Sequence, residues 1–363
     1  MTSAIPEAVE ARTRGGRIAS LDGLRAISIA LVMLGHLKGT TGFPHAIGDL
    51  AESRLVEVAN LGVRVFFVIS GFLITGLLLA EWRTTGGVSL PHFYLRRTFR
   101  IFPAYFAFLG VVALLAAAGA VHLLPGDWLH AVTYTMNYHE PRSWYVGHLW
   151  SRSVEEQFYL LWPAVMLLFG PVRAMWCAAA FVVVAPVIRL ASWRLLPGSH
   201  EIIDTAFETV GDAIAVGCVL AGVREWLWRR ERYRALLMSR WFVPLLLVLA
   251  LALNHFYRLS LAVGITALNV ALALTIERCV RAERGVVGRA LNARPLVFVG
   301  QLSYSIYLWQ QLFLNRNVRS LPTSFPINLV LALLVAALSY YAVERPMLDV
   351  RARIERRWRT RGV

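Results

Sequence analysis

Long apolar stretches fill most of the chain and are separated by short polar connections. Many of the stretches approach the ~20 residues that an α-helix needs to cross a bilayer. They lie at Leu21–Leu37, Leu61–Ala80, Ile101–Val121, Leu160–Leu190, Ala206–Val223, Trp241–Leu253, Leu261–Ile276, Leu296–Leu314 and Ile327–Val343. The fourth stretch is too long for one span and divides near Gly170–Arg173. The pattern predicts an all-α fold, a polytopic transmembrane helix bundle of about ten spans.

The polar connections predict how the helices are oriented. Arginine-rich connections alternate with poorer ones, which is the positive-inside pattern of a chain with an even number of spans. They lie at Arg12–Arg17, Arg96–Arg100, Arg224–Arg240, Arg278–Arg294 and Arg345–Arg361. We therefore predict a cytoplasmic segment at 1–17, a transmembrane domain at 18–347 and a basic cytoplasmic tail at 348–363. The protein is then a multi-pass protein of the cell membrane with both termini cytoplasmic, and no cleaved signal peptide is expected.

Composition agrees with a membrane protein and narrows the choice of partners. The 363 residues are 57% hydrophobic and 16% charged, with a mean hydropathy of +0.56. A net charge of +15 would suit nucleic acid, but the arginines gather in alternate connections, so the predicted partner is the lipid bilayer. Cys177, Cys218 and Cys279 lie far apart without the spacing of metal ligands. Neither a metal site nor a disulfide is predicted.

The first apolar stretch contains two ionisable residues in the sequence LRAISIALVMLGHLKG. Arg25 and His36 are about three helical turns apart, so they share one face of a helix at a distance of roughly 16 Å. Ionisable groups inside membrane helices are costly and usually face the bundle interior or water. Asp22 precedes Arg25 by one turn and is predicted to pair with it. A structural ion pair with an interfacial histidine is the alternative interpretation.

Two further arginines lie at the predicted inner end of a span, in FYLRRTFRIFPAYF. Arg97 and Arg100 are three residues apart, so a helix presents both guanidinium groups on one face. Such a pair suits a phosphate or diphosphate. Anchoring of the span by the positive-inside rule explains the same residues without a ligand.

A dense group of polar residues begins the fourth stretch, in GHLWSRSVEEQFYLLWP. Ser153 and Glu156 have the spacing of a capping box, which predicts a helix starting at Ser153. Glu155 and Tyr159 share another helix face and are not explained by capping. Further along, Asp212 has no partner nearby in sequence, and Glu344 is predicted to end the last helix because a proline follows. We interpret these two acids as structural.

Five motifs in this order resemble acyltransferase family 3, a family of integral membrane O-acyltransferases. They are Arg25 and His36 with their ten-residue spacing, FFVISGFLIT at Phe66–Thr75, RRTFRIFPAY at Arg96–Tyr105, LWSRSVEEQFYLLWP at Leu149–Pro163 and LSYSIYLWQ at Leu302–Gln310. The likeness extends from Ile18 to Met347. Relatives often have histidine where this chain has Gln310, so the resemblance assigns that position no catalytic role.

The resemblance implies a function and a set of site residues. Arg25, His36 and Glu155 would be catalytic, and Arg97 and Arg100 would bind acyl-CoA. Supporting residues would be Asp22, Ser70, Ser153 and Tyr159. Acyl-CoA, most simply acetyl-CoA, would be the co-substrate, with no bound cofactor. The acceptor would be a hydroxyl of a glycan, of a lipid-linked saccharide or of a macrolide-type molecule.

The residues themselves leave the reaction open in several respects. His36 would act as the general base on the acceptor hydroxyl, by direct transfer or through an acyl-histidine. Arg25 would seat the pantetheine or polarise the thioester, and Glu155 would orient His36 or bind the sugar. A transporter or exporter of a lipid-linked saccharide or metabolite is an alternative, although the sequence lacks two related halves. In a non-catalytic membrane subunit, the same charges would be assembly contacts.

Overall fold

The computed structural model describes residues 18–51, 57–196, 198, 200–283 and 285–360. All regular elements in these residues are helical, which confirms the all-α prediction. The predicted segment 1–17 lies outside the described residues, as do the last three residues of the predicted tail.

The helices follow one another with short connections. Those of the first half are α1 (Ala19–Leu37), α2 (His45–Ala51), α3 (Val58–Thr85), α4 (Leu90–Ala117), α5 (Asp127–Val132), α6 (Trp144–Gly147) and α7 (Leu149–Leu195). Those of the second half are α8 (His200–Thr205), α9 (Phe207–Val210), α10 (Asp212–Trp228), α11 (Glu231–Met238), α12 (Phe242–Leu253), α13 (Tyr257–Leu259), α14 (Ile265–Arg281), α15 (Val286–Leu291), α16 (Arg294–Phe313), α17 (Ile327–Ser339) and α18 (Arg345–Thr360). Short 3₁₀ turns lie at Met136–Tyr138 and Leu321–Thr323, and π-helical turns at Ser260–Gly264 and Tyr340–Glu344.

The prediction of about ten spans is not confirmed. Six helical segments of the described residues are long and apolar enough to cross a membrane, or seven if α11 and α12, bent by 74° at their junction, form one span. The six are Ala19–Leu37, Val58–Thr85, Leu90–Ala117, Trp144–Leu195, Tyr257–Arg281 and Ile327–Trp358. The predicted spans 206–223 and 296–314 are not among them. The first is interrupted at Gly211, and the second contains several glutamines.

The division of the fourth apolar stretch is confirmed. Gly170 has φ 73° and ψ 167°, which interrupts the helix geometry inside α7. Glycine adopts this left-handed φ without a steric penalty, and the following Pro171 has no N–H to continue the ladder. Fifty-two helical residues would measure about 78 Å, far beyond the ~30 Å hydrocarbon core, so Trp144–Leu195 is too long for a single crossing.

The predicted helix end at Glu344 is wrong. A π-helical turn at Tyr340–Glu344 leads directly into α18. Pro346 follows this π-helical turn by one residue, and a π-helical turn is one of the local changes by which a continuous helix accommodates a disturbed hydrogen-bond ladder. The chain therefore continues as a helix that contains most of the predicted basic tail.

Two compact units divide the chain, and each is built from separate stretches. In the described residues, the first unit comprises 18–31, 57–88 and 157–301, and the second comprises 32–51, 89–156 and 302–360. The helices α1, α7 and α16 each contribute residues to both units.

In the first unit, α3 and α10 touch through their backbones. A Cβ on Gly71 would lie 1.9 Å from the Ile214 carbonyl oxygen, and one on Gly217 would lie 2.2 Å from the Val68 carbonyl oxygen. Small residues at such crossings let membrane helices gain dispersion contacts that larger side chains would prevent. Gly71 belongs to the FFVISGFLIT motif, so at least this part of the motif has a packing role.

The second unit has an aromatic core between α4, the segment 131–149 and α16. It includes Tyr105, Phe108, Met136, Val146, Leu149 and Trp309, all with at most 6% of their surface exposed. The Tyr105 hydroxyl donates to the Ala131 carbonyl at 2.7 Å, and its ring stacks on Tyr134 at 4.3 Å. Burial raises the pKa of Tyr134, so its hydroxyl stays protonated. This core supports the first turns of α7.

Candidate active site

His36 lies in the last turn of α1, among side chains from α6, α16 and the segment after α16. Its ring meets Trp144 edge-on at 5.6 Å, and the Gln310 side chain faces it at hydrogen-bonding range. Arg316 donates to the carbonyl of Gly35 at 3.2 Å and covers the Trp144 ring at 5.0 Å. His36 is therefore the centre of a polar and aromatic group within the second unit.

A second histidine adjoins this group. His148 is 3% exposed, and it lies near enough to His36 for a charge on one ring to act on the other. Its Nε2 donates to the Leu308 carbonyl at 3.2 Å. Because a carbonyl oxygen only accepts, this bond assigns the proton to Nε2 and leaves a lone pair on Nδ1. Gln311 Oε1 accepts from the His148 backbone N–H at 3.3 Å and holds this turn in place.

Several polar atoms of the group have no hydrogen-bond partner of normal geometry among the described residues. They are His36 Nδ1, His148 Nδ1, Gln310 Oε1 and Gln310 Nε2, all shielded from solvent. An unsatisfied buried polar atom costs about 1–3 kcal/mol. Four of them in one place indicate a surface prepared for a ligand with both donors and acceptors. We call His36, His148, Trp144, Gln310 and Arg316 the histidine cluster.

Polar contacts extend from the histidine cluster along the start of α7. The Tyr307 hydroxyl donates to the His148 carbonyl at 2.6 Å and lies 2.6 Å from the Ser151 hydroxyl. One turn further, the Arg152 guanidinium covers the Tyr304 ring at 5.0 Å and pairs with Glu155. The polar side chains therefore form a continuous row on α7 and α16.

The row ends at the predicted phosphate-binding arginines. Glu156 lies within electrostatic range of both Arg152 and Arg97. Arg100 acts in the same way on Glu344, which receives a hydrogen bond from Ser305. Both arginines are half-buried on α4, so the predicted pair shares one helix but faces two different carboxylates.

Glu155 and Ser153 have local roles in the structure. Glu155 is 6% exposed and pairs with Arg152, whereas none of the contacts of His36 with described residues involves Glu155. The capping box is wrong, because α7 begins at Leu149 and Ser153 is already inside it. The Ser153 hydroxyl instead donates to the Leu149 carbonyl and accepts from the Met136 N–H at 3.2 Å.

The remaining predicted residues lie in the first unit and form two pairs. Arg25 donates to Asp22 Oδ1 at 3.1 Å, which confirms the predicted ion pair. The Tyr159 hydroxyl donates to Ser70 at 3.2 Å, a contact that sequence reasoning did not predict. Their catalytic and supporting roles stay predictions.

Sequence reasoning missed most of the histidine cluster. His148 lies in the polar segment GHLWSRSVEEQFYLLWP, and Gln310 is the last residue of the motif LSYSIYLWQ. No local sequence pattern connects either residue with His36. No sequence pattern indicated a functional role for Trp144 or Arg316. Among the described residues, no three His, Cys, Asp or Glu side chains are grouped as metal ligands would be.

Comparison with known proteins gives a consistent result. A family model described as an acyltransferase domain, that of acyltransferase family 3, matches residues 18–343. The peptidoglycan O-acetyltransferase OatA of Listeria monocytogenes is 26% identical over 91% of this chain and 56% of its own length. The putative peptidoglycan O-acetyltransferase YrhL of Bacillus subtilis is 28% identical over 91% of this chain and 55% of its own. The O-acetyltransferase OatA of Staphylococcus aureus is 26% identical over 90% and 56%.

The chain thus spans about half the length of the curated relatives it matches. No solved structure has significant similarity to it.

Proposed function

Since the chain belongs to acyltransferase family 3, we propose that it moves an acyl group, most simply acetyl, from acyl-CoA to a hydroxyl of a carbohydrate acceptor. The observation that supports this proposal most directly is the histidine cluster. An imidazole beside unsatisfied donors and acceptors is suited to hold a hydroxyl and remove its proton. The relatives named as peptidoglycan O-acetyltransferases make an envelope glycan the first acceptor class to test.

In the proposed reaction, His36 takes the proton of the acceptor hydroxyl as its oxygen attacks the thioester carbonyl carbon. The new C–O bond forms and the C–S bond breaks. CoA leaves as a thiolate and takes the proton back from the imidazolium, so the enzyme returns to its starting state. Arg316 and the Gln310 amide are the nearby groups available to hold the acceptor or the developing oxyanion.

The donor would be held at the other end of the polar row. Arg97 and Arg100 would bind the phosphates of CoA, because charge-assisted hydrogen bonds between guanidinium and phosphate groups are stronger than neutral ones. Glu156 and Glu344 oppose these charges when no ligand is bound, and an arriving phosphate would compete with them. The pantetheine arm would follow the row through Tyr304 and Tyr307 towards His36. Arg152 and Glu155 would shape that path.

Incubation of membranes with labelled acetyl-CoA tests the proposed activity. Label should pass into a hydroxyl-bearing envelope fraction only where the protein is present, and mild base should release it as acetate, because an O-acetyl ester is base-labile. No label in any fraction, together with export of a lipid-linked saccharide, would favour the transporter. Longer labelled acyl-CoAs assayed in parallel would define the acyl chain.

The topology belongs to the proposal as well. Both termini would be cytoplasmic, because the arginine-rich connections alternate along the chain. Reporter fusions in the segment 224–240 should report a cytoplasmic location. A reporter exported from this segment would reject the orientation.

A further inference from the structure

A second polar group lies in the first unit. One member is Arg64, in the second turn of α3 and within a candidate span. Arg64 is half-buried, and its one hydrogen bond to described residues goes to Asn269 Oδ1 at a long 3.4 Å. A guanidinium has five N–H donors, so most of the binding capacity of Arg64 is unused.

The neighbouring arginine is in a different situation. Arg189 is fully buried and pairs with Asp212 at 3.1 Å. It also donates to the carbonyls of Leu261 and Thr209 and to the Thr266 hydroxyl. The charges of Arg189 and Asp212 therefore cancel each other locally, and Arg64 takes no part in this ion pair.

Other acids near Arg64 do not neutralise it by contact. Asp204 and Glu57, both exposed, act on Arg64 only through space, as Asp212 does. No carboxylate of the described residues forms an ion pair with Arg64 at 4.0 Å or less. The guanidinium of Arg64 is thus left without a contacting carboxylate among the described residues.

A fully buried amide beside Arg64 supplies a further donor. Asn269 is 0% exposed, and its Nδ2 has no hydrogen-bond partner among the described residues. Because Asn269 Oδ1 accepts from Arg64, the amide group is oriented by the arginine itself. An unsatisfied amide N–H₂ at membrane depth is costly unless a ligand accepts from it.

We propose that Arg64 and Asn269 bind a phosphate group carried by a lipid. The guanidinium fork fits two phosphate oxygens, and Asn269 Nδ2 would donate a hydrogen bond to the bridging ester oxygen of the same phosphate. Arg64 is about 9 Å along α3 from Val58, where this candidate span begins. That depth favours the headgroup of an amphipathic molecule over a free ion. The phosphate belongs either to a bulk phospholipid or to a polyprenyl carrier.

Binding of defined lipids to the purified full chain in nanodiscs tests this site. The probes are phosphatidylglycerol, a polyprenyl phosphate and, as a neutral control, diacylglycerol, each measured by native mass spectrometry and by the shift in unfolding temperature. Arg64→Gln should weaken binding of a phosphate lipid by roughly 10- to 100-fold. Arg64→Lys should retain part of the binding, because the charge remains but the fork is lost.

A matched control separates this site from general attraction to a basic protein. Arg258 is an exposed arginine of the same unit, seated over the Trp193 ring, and Arg258→Gln should leave binding unchanged. A second site variant, Asn269→Leu, removes the amide at nearly constant volume and should weaken phosphate binding at temperatures where the variant remains folded.

The outcomes divide clearly. Stronger binding of the polyprenyl phosphate supports a site for a lipid-linked carrier, and equal binding of both phosphate lipids supports a headgroup site. The proposal would be overturned if the Arg64→Gln variant bound the phosphate lipids as tightly as the wild type does. It would also be overturned if diacylglycerol bound as tightly as the phosphate lipids. Because these readouts need no acyl transfer, they are independent of the proposed enzymatic activity.

Discussion

The histidine cluster and the Arg189–Asp212 pair are both polar groups buried within helices, but their hydrogen bonding differs. Arg189 uses all three guanidinium nitrogens, with partners at 2.5–3.1 Å. Around His36, in contrast, four buried polar atoms have no partner of normal geometry among the described residues. The first arrangement holds helices together, and the second leaves hydrogen-bonding capacity for a molecule that the protein binds.

The energetic consequences of the two arrangements are opposite. Removing one partner of a satisfied buried ion pair leaves an uncompensated charge and destabilises a fold by ~3–5 kcal/mol. Removing an unsatisfied polar atom takes away a penalty and can leave stability unchanged or improved. Stability and activity should therefore respond to mutation in different regions of this molecule.

The largest effect is expected from His36→Gln. Glutamine retains polarity and much of the volume but has no titrating nitrogen, so transfer should fall by about 10²- to 10⁴-fold while the protein still inserts. Wild-type transfer should also decline on acidification, because a protonated imidazole cannot accept the proton of the acceptor hydroxyl. Label transfer from acetyl-CoA measures both.

His45 supplies the matched control, since it is an exposed histidine of the same unit. His45→Gln should transfer acyl groups as wild type does. Transfer by His36→Gln at a near wild-type rate would remove the histidine cluster from the mechanism.

Arg189→Met should produce the largest loss of stability, about 3–5 kcal/mol, since Asp212 would be left buried and unpaired. Thermal unfolding in detergent measures it. The double variant Arg189→Met with Asp212→Leu should recover part of the loss. As the control, Arg234→Met breaks an exposed ion pair with Glu231 and should change stability by less than about 1 kcal/mol. Equal stability of Arg189→Met and wild type would end the contrast between the two regions.

Arg97→Ala and Arg100→Ala should each raise the KM for acyl-CoA by roughly 10- to 100-fold, because each would remove phosphate contacts of ~1.5–3 kcal/mol. Acceptor KM should change little. Initial rates at varied acyl-CoA measure the effect, with Arg83→Ala, an exposed arginine in the last turn of α3, as the control. An unchanged KM for acyl-CoA in both variants would show that these arginines only anchor the span.

Gln310→Leu should have the smallest effect, and it separates the two kinds of polar group. Transfer should fall about tenfold, while the unfolding temperature should not decrease, because two unsatisfied amide atoms disappear. Gln311→Leu should behave differently and lose about 1 kcal/mol of stability, since Gln311 Oε1 accepts a hydrogen bond from His148. A destabilised Gln310→Leu with full activity would contradict the assignment of Gln310 to the site.

Sequence reasoning succeeded where the physical cause is local. The Asp22–Arg25 pair follows from one helical turn of spacing, and the interruption at Gly170 follows from glycine before proline. The capping box failed for the opposite reason. Val146 and Leu149 pack in the aromatic core, and α7 begins at Leu149, so Ser153 lies inside the helix and cannot cap its end.

The amino-acid sequence by itself determined the all-α class, the positions of the long apolar helices and the family motifs, because apolar periodicity and composition act over one element at a time. Only the tertiary structure decided which polar residues of different helices meet. Asp212 gained its partner Arg189 from a helix 23 residues earlier, and Gln310 reached His36 from the other end of the chain. Such pairings depend on how helices pack, and packing is settled by the shapes of whole helix faces. No local pattern of residues records that information.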